Sequence, residues 1–163
     1  MDLLDGKAVL ITGAGRGLGR AYALHAAAGA AVLVNDVRED LAEEVAGQIR
    51  EAGGRAVGEG GSVADPERAT PLVEKCVARF GALDGLVNNA AVGHHLPPWQ
   101  DDPARIRILI EVNVLGSMYC GTAAARVMHA RGSGVIVNVG SGSMLGQRGA
   151  GALEPPPAQR WAL

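Results

Sequence analysis

Between Thr12 and Gly19 the chain reads Thr12-Gly13-Ala14-Gly15-Arg16-Gly17-Leu18-Gly19. Glycines at every second position let the backbone turn sharply and let a bulky anion approach the main chain closely. The segment follows a short apolar run, Lys7 to Thr12, which reads as a buried strand. It opens an Ala- and Leu-rich stretch, Gly17 to Ala28, which reads as a helix ending before Gly29. A helix that starts at such a turn offers unpaired N–H groups and the positive end of its dipole. That is chemistry for holding a pyrophosphate. A glycine turn alone serves equally as a tight connection with no ligand. Here the preceding strand, the following helix and the N-terminal position supply the context that the motif requires.

A second residue sharpens the reading. Asp36 closes the next apolar strand, Ala31 to Asn35, roughly twenty residues beyond the glycines. An acidic group at that place binds the hydroxyls of an adenosine ribose and repels a 2′-phosphate. The expected cofactor is therefore NAD, with NADP as the alternative. Arg16 and Arg38 weigh the other way, because either is able to meet a 2′-phosphate, although both also read as solvated surface charges.

The elements that must position these groups alternate along the chain. Glu39 to Ala52 is an amphipathic helix with Leu41, Val45 and Ile49 at four-residue steps, stopped by Gly53-Gly54. Arg55 to Val57 reads as a short strand. Asp65-Pro66 reads as an N-cap and first helical position, and the helix runs to Arg79. Leu83 to Val87 is a strand, Ile106 to Met128 a long helix or two helices meeting near Gly116, and Gly134 to Val139 the last strand. Alternation of this kind implies a doubly wound α/β fold: a parallel, Rossmann-like sheet of about five strands in the order 3-2-1-4-5.

Composition narrows the class. Of 163 residues, 48% are hydrophobic and 3% aromatic, so Ala, Val, Leu and Ile must fill the core. The net charge of −2 implies no basic face, which argues against nucleic acid as a partner. Uninterrupted apolar runs such as Ala8 to Ile11 are too short to span a bilayer, and the acidic start lacks the features of a signal peptide. The expectation is a cytoplasmic protein with no membrane partner. Cys76 and Cys120 show no metal-ligand spacing and read as buried thiols, and no metal site is expected.

With these residues in place, the chain resembles the short-chain dehydrogenases/reductases. The spacing Thr12-Gly13-x-x-x-Gly17-x-Gly19 is similar to that family's cofactor motif. Asn88-Asn89-Ala90-Ala91 resembles its Asn-Asn-Ala-Gly segment, with Ala91 as a departure. Asn113 matches its active-site Asn, and Ile136-Val137-Asn138-Val139-Gly140-Ser141 matches the strand end that delivers its catalytic Ser, here Ser141. Ser62-Val63 stands where the family has Asp-Val, so Ser62 replaces a residue that contacts adenine. The resemblance covers Gly6 to about Ala152. It implies hydride transfer between a nicotinamide dinucleotide and an alcohol or ketone. Thr12, Gly13, Gly15, Arg16, Gly17, Leu18, Gly19, Asp36, Val37, Ser62, Val63, Asn89, Ala90 and Ala91 would hold the cofactor. Asn113 would support the long helix and a relay water, and Ser141 would bind the reacting oxygen. A homo-oligomer buried at the long helix also follows from the resemblance.

The family's acid/base is a Tyr with a Lys four residues on. Neither Tyr22 nor Tyr119 is followed by Lys at that spacing: Ala26 and Ala123 stand there. A phenol with a pKa of about 10 is a poor base at neutral pH without a neighbouring ammonium. Ser141 orients but does not accept the proton. His94, His95 and His129 are the substitutes at hand. His94 and His95 read as exposed loop residues, and His129 as a group favoured at a helix C-terminus. Leu153 to Leu163, LEPPPAQRWAL, reads as an irregular tail, since three consecutive prolines exclude helix and central strand. The expected organisation is a dinucleotide-binding domain over 1–152 and a tail over 153–163. The expected function is that of a C-terminally truncated oxidoreductase with little or no turnover. The alternatives are a catalytically dead NAD(H)-binding or partner-modulating module, and a non-functional frame-disrupted product. Val135 to Val139 is expected as an apolar, unprotected edge strand.

Overall fold

The computed structural model describes residues 3–93 and 98–141, so His94, His95 and the tail 153–163 lie outside the described residues. Five strands alternate with helices: β1 Ala8–Ile11, α1 Gly17–Ala26, β2 Ala31–Asp36, α2 Glu39–Glu51, β3 Arg55–Gly60, α3 Pro66–Phe80, β4 Gly85–Asn88, α4 Pro103–Ile110, α5 Ser117–Arg131 and β5 Val135–Asn138. All pairings are parallel, in the order β3-β2-β1-β4-β5. This is the doubly wound arrangement expected from the alternation.

Strand periodicity splits the core into two layers. Ala8 and Leu10 of β1 point to one face, packed with Leu72, Val73 and Cys76 of α3 and Cys120, Ala124 and Met128 of α5. Val9 and Ile11 point to the other, packed with Ala23 of α1 and Val45, Ala46 and Ile49 of α2. β1 and β2 are buried throughout, as strands covered on both faces must be.

Helix starts follow local chemistry. Asp65 accepts from Glu67 N at 2.9 Å, and Pro66 occupies the first position of α3. Asp102 accepts from Ala104 N and Arg105 N before Pro103 in the same way. Between α4 and α5 the helix widens into a π-turn over Glu111–Gly116 that contains Asn113. The junction expected near Gly116 is thus an uninterrupted change of winding, with Gly116 buried against Val63.

The bounds of β3 and β4 differ most from the sequence reading. β3 extends to Gly60 because Asn35 and Asp36 of β2 pair with Glu59 and Gly60. β4 starts at Gly85, and the preceding Asp84 ties it to β1 through its side chain, whose Oδ2 accepts from Ala8 N at 2.9 Å. A short 3-10 turn over Pro98–Gln100 was not foreseen. Among the described residues β5 lies at the sheet edge, with Val135 63% and Val137 47% exposed. The joined helix Pro103–Arg131 runs beyond the expected Ile106 to Met128 at both ends. No single apolar run is long, but the 29-residue helix is long and apolar enough to cross a membrane by length and composition. One of its faces packs on α3 as a sheet-covering helix, and Ile106, Ile108, Ile110, Val114 and Met118 stay exposed.

Candidate functional site

The glycine turn connects β1 to α1 and is fixed from three sides. Thr12, 1% exposed, accepts from Asn89 N and Ala90 N at 3.1 Å each through its Oγ1. Asn89 Nδ2 donates to Thr12 O and Gly13 O, both at 3.0 Å. Ala14 N donates to Asn35 O at 2.7 Å. The ends of β1, β2 and β4 therefore hold the turn at the C-terminal edge of the sheet. This is where ligands bind in open α/β folds.

Gly17 and Gly19 are required here for opposite reasons. Gly17 has φ +56° at the first position of α1, and a Cβ there would meet nothing within 4 Å, so its neighbourhood is open. Gly19 is the opposite case: a Cβ would lie 2.3 Å from Gly13 O and 2.4 Å from Asn89 Nδ2. Arg16 at the N-cap makes no side-chain cap bond, and no acidic residue sits in the first turn of α1. The first-turn N–H groups and the dipole end are left for an anion.

Asp36 stands at the end of β2, 7% exposed. Its Oδ2 accepts from Gly15 N at 3.0 Å and its Oδ1 from Arg38 N at 3.1 Å. Each carboxylate oxygen keeps a further lone pair for a hydroxyl donor. The Arg38 guanidinium turns away. Its Nε and Nη2 donate to the two oxygens of Asp40, at 3.2 and 2.5 Å. That hydrogen bonding and pairing hold the Asp40 carboxyl below the usual carboxylate range and raise the Arg38 guanidinium above its own. Arg16, by contrast, is exposed on the wall of the cleft.

These elements enclose a cleft of about 310 Å³ lined by Gly13, Arg16, Gly17, Leu18, Gly19, Asp36, Val37, Ser62, Val63, Asn89, Ala90 and Ala91. All twelve were singled out from sequence. Thr12 and Gly15, the other two, lie behind the wall as supports. Ser62 Oγ accepts from Ala64 N at 3.2 Å. Asn35, Gly61 and Val112 also line the cleft and were not foreseen. Asn35 Nδ2 donates to Glu59 O and Gly61 O, fastening the loop after β3. Its signal was its place beside Asp36 at a strand end.

The cleft fits a dinucleotide: an uncapped helix N-terminus over a glycine turn for the pyrophosphate, and a buried carboxylate for a ribose. Asn113 and Ser141 do not line it. The Asn113 side chain pairs with the Val92 backbone, accepting from N at 2.8 Å and donating to O at 2.9 Å. Ser141 is exposed just beyond β5. Asn88 joins the elements that carry these two, since its Nδ2 donates to Ser117 O of α5 and to Asn138 Oδ1 of β5. His129 is exposed in the last turn of α5, where a helix C-terminus was expected to hold it. Among the described residues, no group of three or more His, Cys, Asp or Glu is placed to hold a metal ion.

Known proteins share this arrangement. The chain matches the family model described as short chain dehydrogenase over residues 7–153. It is 42% identical over 137 residues to a cis-4-hydroxycyclohexanecarboxylate dehydrogenase of Sinomonas cyclohexanicum, covering 83% of this chain and 55% of that one. It is 34% identical to a 7alpha-hydroxysteroid dehydrogenase of Escherichia coli, over 85% of this chain and 54% of that one. A short chain dehydrogenase from Mycobacterium avium superposes with a TM-score of 0.85 at 36% identity, over 93% of this chain and 58% of that one. A 7 alpha-hydroxysteroid dehydrogenase complexed with NADH and 7-oxo glycochenodeoxycholic acid superposes at 0.84 with 32% identity, over 90% and 58%. The chain thus spans somewhat more than half the length of these relatives. A sheet of the same order, the glycine turn at its C-terminal edge and a family match over residues 7–153 agree, and the chain belongs to the short chain dehydrogenase family.

Proposed function

We propose that residues 1–152 are the dinucleotide-binding domain of an NAD(H)-dependent oxidoreductase that moves a hydride between nicotinamide and an alcohol or ketone. The observation that carries this reading is the meeting of the uncapped α1 N-terminus and the buried Asp36 carboxylate in one cleft. Gly17, Leu18 and Gly19 offer first-turn N–H groups to the pyrophosphate. Asp36 accepts from the adenosine ribose hydroxyls, and its charge disfavours a 2′-phosphate. Val37, Ser62 and Val63 flank the adenine end, and Asn89, Ala90 and Ala91 lie under the cofactor. When bound, the nicotinamide supplies the hydride donor or acceptor. Asn113 braces the helix against the loop after β4, and Ser141 orients the substrate oxygen. The relatives named as dehydrogenases support the reaction class.

A second reading is an NAD(H)-binding module without turnover. Positioned proton transfer contributes about 10²–10⁴-fold in rate. Calorimetric titration with NADH and NADPH, paired with a turnover assay over a carbonyl panel, tests both readings. One NADH bound per chain, more tightly than NADPH and weakened by Asp36→Ala, is the expected result. NADH-dependent reduction lost on Ser141→Ala favours the enzyme, and binding without turnover favours the module. Tighter NADPH than NADH overturns the NAD assignment.

A further inference from the structure

We infer that Asp40 is a specificity-determining residue that disfavours the 2′-phosphate form of the cofactor by occupying the guanidinium of Arg38 beside the ribose position. The inference rests on the dinucleotide reading above.

The turn after β2 presents four charges in five residues: Asp36, Arg38, Glu39 and Asp40. The Arg38 main chain stands at the ribose end of the cleft, because its N–H donates to Asp36 Oδ1 at 3.1 Å. Its side chain is not among the residues that line the cleft. Both Asp40 carboxylate oxygens take it, at 3.2 Å to Nε and 2.5 Å to Nη2. A two-point fork of this kind matches the planar guanidinium and leaves fewer donors for a phosphate, the ligand that the same fork would otherwise take. Arg38 is accordingly absent from the cleft wall, whereas Val37 and Asp36 are on it. Asp40 sits in the first turn of α2, where a carboxylate is favoured by the helix dipole and is therefore held in place independently of Arg38. Glu39 precedes it in the same turn and adds negative charge. Asp36 faces the ribose, and Asp40 takes up Arg38, one of two guanidinium groups able to offset it, Arg16 on the cleft wall being the other.

The pair is exposed, with side chains 63% and 65% accessible, so its effect on affinity is modest and salt-dependent. Asp40→Asn is the probe, because it keeps the shape and the place in the helix turn and removes the charge. NADH and NADPH are titrated against the full 163-residue chain at low ionic strength. The expected result is NADPH binding tighter by about fivefold, with NADH changed by less than about twofold. Arg38→Ala added to Asp40→Asn should abolish the gain, and high salt should reduce it. Asp40→Ser should reproduce it if the asparagine merely rebinds Arg38. An NADPH-to-NADH ratio unmoved by both Asp40 variants overturns the assignment while leaving the dinucleotide reading intact. A gain that survives loss of Arg38 also overturns it, since the effect would then be bulk charge. A wild-type chain that binds neither nucleotide overturns the dinucleotide reading and this inference with it.

Discussion

Asn89 ties the glycine turn to the sheet, and removing its amide should loosen both. In Asn89→Ala the carbonyls of Thr12 and Gly13 lose the two donors now at 3.0 Å. Each net hydrogen bond of this kind is worth about 0.5–1.5 kcal/mol, so the pair accounts for about 1–3 kcal/mol. In a chain of 163 residues, about 2–4 °C of Tm is lost per kcal/mol, which gives a drop of about 2–12 °C. The turn also positions the first-turn N–H groups of α1, so NADH affinity should fall about tenfold, equivalent to about 1.4 kcal/mol. Asn89→Asp should be worse than Ala at neutral pH, because it sets a carboxylate against two carbonyl oxygens. Its folded-state pKa would be raised, so its stability deficit should shrink as the pH falls through that value, when the acid becomes a donor. Thermal melts by circular dichroism at pH 5 and pH 8 read both effects. An Asp variant as stable as wild type at pH 8, or an Ala variant within 1 °C of it, would refute the reasoning.

Four further outcomes follow from the same geometry. Gly19→Ala should abolish NADH binding in calorimetry, because the added carbon falls 2.3 Å from Gly13 O and 2.4 Å from Asn89 Nδ2. Asp36→Ala should weaken NADH by about tenfold or more and narrow the NADH-over-NADPH preference, since the ribose loses its acceptor and Gly15 N loses its partner at 3.0 Å. Burial pushes the Cys76 thiol up to about 12 and the Cys120 thiol to about 11 from an ordinary 9.0. A raised folded pKa means that the contribution to stability is complete below about 9 and is lost as pH climbs toward 11 and 12. Native thiol titration at pH 8 should find neither group reactive, and denaturation should expose two. Val137→Lys should suppress concentration-dependent association in sedimentation, because it places a charge on the open β5 edge.

Much of the fold was legible because periodicity and punctuation agreed. The buried strands β1 and β2 are unbroken apolar runs, α2 carries Val45 and Ile49 at helical spacing, and Asp65-Pro66 starts α3 where a cap was expected. β3 was read too short because Gly58-Glu59-Gly60 has no strand propensity of its own; pairing with β2 holds it extended. Pro71 inside α3 and the π-turn around Asn113 carry no local signal, since both are settled by packing between elements. The cleft was legible because glycine, Asp36 and the Asn-Asn pair are each required by chemistry at a strand end. Asn35 and Gly61 were missed because their part depends on how the loop after β3 folds back over β2. Arg38 illustrates the limit of reading charge from sequence. Its pairing with Asp40 through Nε and Nη2 has no signal in the sequence.

Amide hydrogen exchange of the full chain with and without NADH tests the central claim most directly, because it reports where the nucleotide sits as well as whether it binds. The expected result is saturable protection confined to the turn from Gly13 to Gly19, the end of β2 at Asp36 and Val37, and the segments at Ser62-Val63 and Asn89 to Ala91. No change at saturating NADH would contradict the account, as would protection centred instead on the apolar trough between α1 and the β1, β4 and β5 face of the sheet.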